Sequence, residues 1–268
     1  MSDSKVQQSK AERFRALHEG EPFVIPNPWD IGSARVFEAL GFKALATTSG
    51  GFAYTLGRLD GGVTLEEVIE HVGELAAATS LPISVDLENG YGPEPEDAAR
   101  AITSAAEAGA VGGSIEDYDP EGRIYDIGHA TERIAAAREA ADRLDFPFTL
   151  TGRAENHLRG NPDLDDTIAR LQAYERAGAD VIYAPGLHKV EQISAVRDAT
   201  TKPQNVLALP SFTVTEIAEA GGQRLSVGSM LTWVSVDAMA NAAQQILDTG
   251  DLSVMNVSPN VKEWLSDE

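Results

Sequence analysis

The stretch Pro82-Ile83-Ser84-Val85-Asp86-Leu87-Glu88-Asn89-Gly90-Tyr91-Gly92 runs from an apolar segment straight into two carboxylates and a glycine-rich turn. The apolar part is short and bounded by turn residues, so it reads as a buried strand. Its acids then stand where that strand ends. Ser114-Ile115-Glu116-Asp117 and Thr151-Gly152-Arg153-Ala154-Glu155 repeat the arrangement. Paired carboxylates at strand ends suit a hard cation such as Mg²⁺. An arginine beside them suits a carboxylate substrate, because its planar fork takes both oxygens at once.

Around these three segments, eight strand-like apolar runs follow one another, at 23–27, 44–49, 82–87, 111–116, 148–153, 181–185, 204–209 and 224–229. Helix-like stretches separate them, at 33–40, 64–78, 94–108, 131–143, 163–177, 189–199, 214–220 and 234–247. Ser33 is the expected N-cap of the first, and Thr64-Leu65-Glu66-Glu67 has the form of a capping box. Gly109 and Gly178 stop helices just before strands four and six, a structural use of glycine. Eight alternations predict an α/β fold, a parallel (β/α)₈ TIM barrel. The 268 residues match the roughly 250 of such a barrel. One domain is expected over 1–268, with a helical extension at 1–20 and a C-terminal helix and tail at 233–268.

Composition narrows the chemistry. Cysteine is absent, which excludes disulfides, thiolate metal sites and cysteine catalysis. Lys+Arg total 21 against 42 Asp+Glu, a net charge of −21 without a basic patch, so no nucleic-acid partner is expected. The same acidity serves solubility. Residues 1–20 lack the apolar core of a signal peptide, and no run is long enough to span a membrane. A cytoplasmic location is expected.

Active sites of such barrels lie at the carboxyl ends of the strands. The polar residues due there are Asn27, Trp29 and Asp30; Thr48-Ser49-Gly50-Gly51; Asp86 and Glu88; Glu116 and Asp117; Arg153 and Glu155; Asn205; and Ser226 and Ser229. Burying several acids around one arginine merely as a brace is costly, which favours a functional reading. Ser49-Gly50-Gly51 is either an ordinary turn or a set of backbone N–H groups ready for a carboxylate or enolate oxygen. His18 and His71 are expected on surface helices, His129 in the loop after strand four, and His157 and His188 in loops after strands five and six. Their spacing is not that of a histidine metal site. No lysine falls on a strand end, which argues against Schiff-base chemistry.

With these residues in place, the chain resembles the isocitrate lyase / phosphoenolpyruvate mutase superfamily. The likeness runs from about Phe23 to Leu231 through Ile25-Pro26-Asn27-Pro28-Trp29-Asp30, Thr48-Ser49-Gly50-Gly51, Leu56-Gly57-Arg58-Leu59-Asp60, Asp86 to Gly92, Ile115-Glu116-Asp117, Gly152-Arg153-Ala154-Glu155 and Pro203-Gln204-Asn205. The resemblance implies a Mg²⁺-dependent barrel for an α-oxo acid or its enolate; Mn²⁺ would also accept oxygen ligands. It implies Asp86 as principal metal ligand, Glu88 and Glu116 as ligands directly or through water, and Asp60 near the metal-bound waters. Ser49, Gly50 and Gly51 would cradle the carboxylate and oxyanion, and Arg153 would clamp the carboxylate. Trp29, Glu155 and Asn205 join the expected substrate-binding set. The resemblance further implies a homotetramer that swaps its eighth helix.

Two departures stand out. The family usually has aspartate where this chain has Glu88. After Glu116-Asp117 the lyases carry a Lys-Lys/Arg-Cys-Gly-His motif, whereas this chain reads Tyr118-Asp119-Pro120-Glu121-Gly122-Arg123-Ile124-Tyr125-Asp126-Ile127-Gly128-His129. Gly128-His129 is either a remnant of that motif or the start of a helix. The usual isocitrate or methylisocitrate lyase mechanism is therefore not expected. The expected activity is that of a carbon–carbon lyase or decarboxylase working through a stabilised enolate, on an oxaloacetate-like or substituted-malate substrate. Asp60, Glu116, Arg153 and His129 are the catalytic candidates, with Tyr91 a further base, and the 119–129 loop a lid hinged at Gly122 and Gly128. The alternatives are P–C bond chemistry, as phosphonopyruvate hydrolase or phosphoenolpyruvate mutase, and a non-catalytic α-oxo-acid binder.

Overall fold

A computed structural model of the chain describes residues 3–266. Eight parallel strands form the expected barrel: β1 (Phe23–Ile25), β2 (Leu45–Ala46), β3 (Ile83–Asp86), β4 (Gly112–Glu116), β7 (Thr149–Arg153), β8 (Val181–Tyr183), β9 (Gln204–Leu207) and β10 (Gly222–Ser226). They lie in the order β1-β10-β9-β8-β7-β4-β3-β2. The Ala46 N–H donates to the Pro26 carbonyl at 3.1 Å, which draws the last two edges together into a ring. Between β4 and β7 stands a small antiparallel hairpin, β5 (Tyr118–Asp119) and β6 (Arg123–Ile124).

Helices cover the outside: α2 (Ile31–Ala39), α3 (Ser49–Thr55), α4 (Leu65–Ala78), α5 (Pro95–Glu107), α6 (Ile127–Asp142), α7 (Leu164–Arg176), α8 (Val190–Ala199), α9 (Val214–Glu219) and α10 (Met230–Thr249). Their inward faces, among them Leu75, Ile102, Ile134, Leu171, Ile193 and Ile217, form one core with Ile83, Leu150, Ile182, Val206 and Leu225 of the strands. The α4 capping box is present, with the Thr64 side chain on the Glu67 N–H and Glu67 on the Thr64 N–H. Gly109 and Gly178 sit at φ 107° and 103°, where an L side chain is strained, and there the chain turns from helix into strand. Helix α1 (Asp3–Leu17) closes the opposite end of the barrel, its Ala11 and Phe14 packing with Phe23, Ile25, Ala44 and Val111 in a second core.

Several local expectations are corrected. Asp30, not Ser33, caps α2, because its carboxylate takes the Ser33 N–H at 2.7 Å; Ser33 instead closes the box from the third position. Helix α6 begins at Ile127, so Gly128 is a first-turn residue held by Asp126 and no hinge, whereas Gly122 at φ 92° does turn the hairpin. His18 and His71 are buried rather than on the surface. His18 lies between α1 and the barrel floor, and His71 stacks on Phe52 at 4.0 Å between ring centroids. In α10 Thr232 is buried, while Trp233, Val234, Met239 and Leu247 are exposed. No described helix is long and apolar enough to cross a membrane.

Candidate active site

The strands deliver their polar ends to one mouth of the barrel, around a cavity of about 180 Å³ lined by, among others, Ser49, Asp60, Asp86, Arg153 and Asn205. Arg153, the last residue of β7, organises it. Its Nε lies 2.6 Å from Glu155 Oε1 and 3.3 Å from Glu116 Oε2, and its Nη1 lies 3.5 Å from Asp86 Oδ1. Its guanidinium sits over the Tyr183 ring, 5.2 Å from the centroid. Burial alone would lower the Arg153 pKa, but Glu116, Glu155 and Asp86 hold it well above the ordinary arginine value. Arg153 is thus a permanent cation that borders the cavity.

Glu155 departs from its expected role. It is fully buried, with Oε1 on Arg153 and Oε2 on the Arg159 Nε at 2.8 Å. With both oxygens engaged it positions the arginines and has no part left for substrate. Asp117 likewise turns into the wall, where it accepts from Tyr174 Oη at 2.5 Å, Arg170 Nη1 at 3.0 Å and the Glu155 N–H at 2.7 Å. These contacts lower its pKa, yet burial outweighs them and raises it.

The turn after β3 aims the acids. Glu88 and Tyr91 adopt φ 47° and 60°, the left-handed region that L residues enter at a cost, and Gly90 between them is at 81°. The strain is held from below. Arg133 donates to the Asn89 and Glu94 carbonyls, and the Asn89 amide donates to Tyr125 Oη at 3.1 Å. Tyr91 Oη donates to Glu88 Oε1 at 3.1 Å. Burial, then the charges of Asp86 and Asp60, push Glu88 up to about 7. Burial, with Glu155, Asp86 and Glu88 adding to it, raises Glu116 well above the carboxylate range against the pull of Arg153.

Of the expected ligands, Asp86 and Glu116 both meet Arg153, whereas Glu88 and Glu116 do not line the cavity as Asp86 does. No set of three or more His, Asp or Glu side chains among the described residues forms a ready metal shell. The donor chemistry still fits a hard cation. Burial and neighbouring acids raise Glu88 and Glu116 even beside Arg153, so a cation would offset charge there, and Mg²⁺ takes one or two carboxylates directly while keeping several waters.

Thr48 caps α3 and bonds to Ser229 Oγ at 2.7 Å. Gly50 and Gly51 follow in the first turn, where backbone N–H groups lack intrahelical acceptors. A Cβ on Gly50 would come within 2.9 Å of Ser229 Oγ and 3.4 Å of Asp60 Cγ, so Asp60 closes over this turn. Trp29 does not line the cavity; it packs behind Gly51 and against Phe37. His129 also stays outside: on α6 its Nε2 is 2.8 Å from the Pro93 carbonyl, beside the Tyr125 ring. His157 and His188 lie near each other, with ring centroids 6.2 Å apart, and border neither the cavity nor Arg153.

Three residues at the site escaped the sequence reading. Arg159 bridges Glu155 to the hairpin by lying over the Tyr118 ring at 3.8 Å. Tyr183 ends β8 and lines the cavity. Arg224 lies buried on the barrel floor, its Nη2 donating to Thr151 Oγ1 and its Nε to Asn205 Oδ1. Burial lowers it to about 10. The available signal was a cation and a phenol inside otherwise apolar strands.

Residues 14–247 match the phosphoenolpyruvate phosphomutase family. Among solved structures, one from Burkholderia cenocepacia J2315, named no more closely than a lyase/mutase, is 45% identical with a TM-score of 0.94, over 98% of this chain and 97% of that one. The 2-methylisocitrate lyase of Halalkalibacterium halodurans is 30% identical over 81% of this chain and 73% of its own length. The oxaloacetate decarboxylase of Rhodopseudomonas palustris is 29% identical over 90% of this chain and 84% of its own.

Proposed function

We propose, from the premise that this chain belongs to the phosphoenolpyruvate phosphomutase family, that it is a carbon–carbon lyase or decarboxylase acting on a small α-oxo acid through an enolate. The observation that carries this reading is Arg153, a buried cation locked by Glu155 and facing the cavity beside Asp86. The activities of the lyase and decarboxylase relatives support it.

Arg153 would take the substrate carboxylate in its fork. Asp86, with Glu88 and Glu116 directly or through water, would hold Mg²⁺. When bound, the cation supplies a Lewis acid that neutralises charge developing on the keto oxygen. The Ser49 and Gly50 N–H groups donate to the same developing negative charge. Asp60 lies across the turn from them and orients water. In a decarboxylation the C3–C4 bond breaks, CO₂ leaves, and the electron pair remains as the enolate, which then takes one proton at C3. No thiol is needed, in keeping with a chain that has none. The exposed apolar side chains of α10 support a homo-oligomer that covers them.

The test is pyruvate release from oxaloacetate, 2-methylisocitrate, dimethylmalate and phosphonopyruvate, with and without Mg²⁺, beside Asp86→Ala. Metal-dependent turnover that the variant loses is the expected result. Release from phosphonopyruvate alone would move the reading to P–C chemistry, and oxalate binding without any turnover would make the chain a binder.

A further inference from the structure

A protonated enolate needs a proton donor, and the groups usually suited to that task are absent from the cavity. Cysteine is missing from the chain, no lysine borders the cavity, and His129 is directed at Pro93. Asp60 and Asp86 lie among acids that would face the cation. Tyr183 remains. It ends β8 in register with Arg153 on one side and Asn205 on the other, and it lines the same cavity.

The orientation of its hydroxyl follows from donor and acceptor bookkeeping. Arg224 can only donate, so its Nε, at 2.8 Å, fixes the Asn205 Oδ1 as acceptor. The Asn205 Nδ2 must then donate, and it reaches Ser226 Oγ at 3.0 Å. Ser226 has accepted that bond, so its own proton is free to turn toward the Tyr183 oxygen along the same cavity wall. The two bonds of this chain, Arg224 to Asn205 and Asn205 to Ser226, run one way, toward the wall that holds Tyr183. The phenol stands at that wall with the Arg153 guanidinium over its ring, 5.2 Å from the centroid.

We propose that Tyr183 is the catalytic acid that protonates C3 of the enolate, oriented by the Arg224–Asn205–Ser226 chain. The proposal rests on the enolate reading above. The O–H bond of Tyr183 breaks and a C–H bond forms at C3. The phenolate left behind faces the Arg153 guanidinium and the Ser226 hydroxyl, and it recovers a proton from water as product leaves. Run backwards, the same step removes a proton from the methyl group of bound pyruvate. Arg224, Asn205 and Ser226 are positioning residues.

The experiment follows methyl hydrogen exchange of pyruvate in D₂O by NMR, with the full chain and Mg²⁺, in wild type, Tyr183→Phe and Ser226→Ala. Phenylalanine keeps the ring under Arg153. The expected result is exchange by wild type that falls about 100-fold or more in Tyr183→Phe, with oxalate affinity and melting temperature little changed. Ser226→Ala should slow exchange less and shift its pH profile. Exchange by Tyr183→Phe within about threefold of wild type would overturn the proposal. So would absence of exchange in wild type. If that wild type still released pyruvate from oxaloacetate, the enolate reading would stand without Tyr183; if it did not, both would fall.

Discussion

Glu155 Oε1 stands 2.6 Å from Arg153 Nε, two residues along the chain, and is sealed from solvent. The pair is a charge-assisted hydrogen bond made in a dry wall, and it sets the direction in which Arg153 meets the cavity. Removing one partner of such a pair leaves the other charge buried and uncompensated.

Glu155→Ala should therefore cost about 3 kcal/mol of stability and weaken oxalate binding by at least tenfold. Glu155→Gln, which keeps one acceptor, should lose less of both. Thermal melts and oxalate titration by calorimetry check this. Unchanged oxalate affinity in Glu155→Ala would remove Glu155 from the positioning of Arg153.

Glu88 carries the sign of metal dependence. Its pKa is raised to about 7 by burial and by Asp86 and Asp60, above its unfolded value. The ionised form is disfavoured in the fold, so stability of the metal-free protein should fall as pH rises from 4.5 to about 7. Glu88→Gln should raise metal-free stability at pH 8 by roughly 1–3 kcal/mol and reduce the gain in melting temperature on adding Mg²⁺. Equal Mg²⁺ gains in both proteins would take Glu88 out of the cation site.

The buried histidines act oppositely. Burial lowers His18 to about 3 and His71 to about 4, from an ordinary 6.5. Between those values the unfolded chain binds more protons than the folded one. Stability should thus drop as pH falls through 6.5, by roughly 1 kcal/mol per histidine at pH 5.5. The His71 Nε2 has no hydrogen-bond partner. His71→Phe, which keeps the stack on Phe52, should flatten its share of the slope in urea unfolding at pH 7.5 and 5.5.

Helix α10 offers Val234, Met239 and Leu247 to solvent. Isolated apolar residues are ordinary, but a helix with this many exposed fits a surface covered by another copy. Val234→Asp with Leu247→Asp should shift the sedimenting species to lower mass while leaving the far-ultraviolet circular dichroism of the barrel unchanged. The same mass for variant and wild type would count against an oligomer built on α10.

How far the sequence reached is clear from particular residues. Asp86 and Arg153 were placed by local signals, since an apolar run and its polar end are neighbours in the chain, and the barrel brings these strand ends to one cavity. The Thr64–Glu67 box and the stops at Gly109 and Gly178 were legible for the same reason. Alternation of strand and helix fixed the architecture, because the hydrophobic period is written residue by residue.

Where Glu155, His18, Tyr183 and Arg224 stand was settled only in three dimensions. Arg224 meets His18 across 206 positions and Thr151 across 73, and Asn205 meets Ser226 across 21. No local pattern encodes such partners. Whether a carboxylate binds substrate or braces an arginine, and whether a histidine is wet or buried, depends on which distant groups close the space around it. Burial then sets the cost of charge and the direction of each hydrogen bond. A (β/α)₈ barrel with acids and an arginine at its strand ends is written in the residue order; which of them face the cavity follows from contacts between strands far apart in the chain.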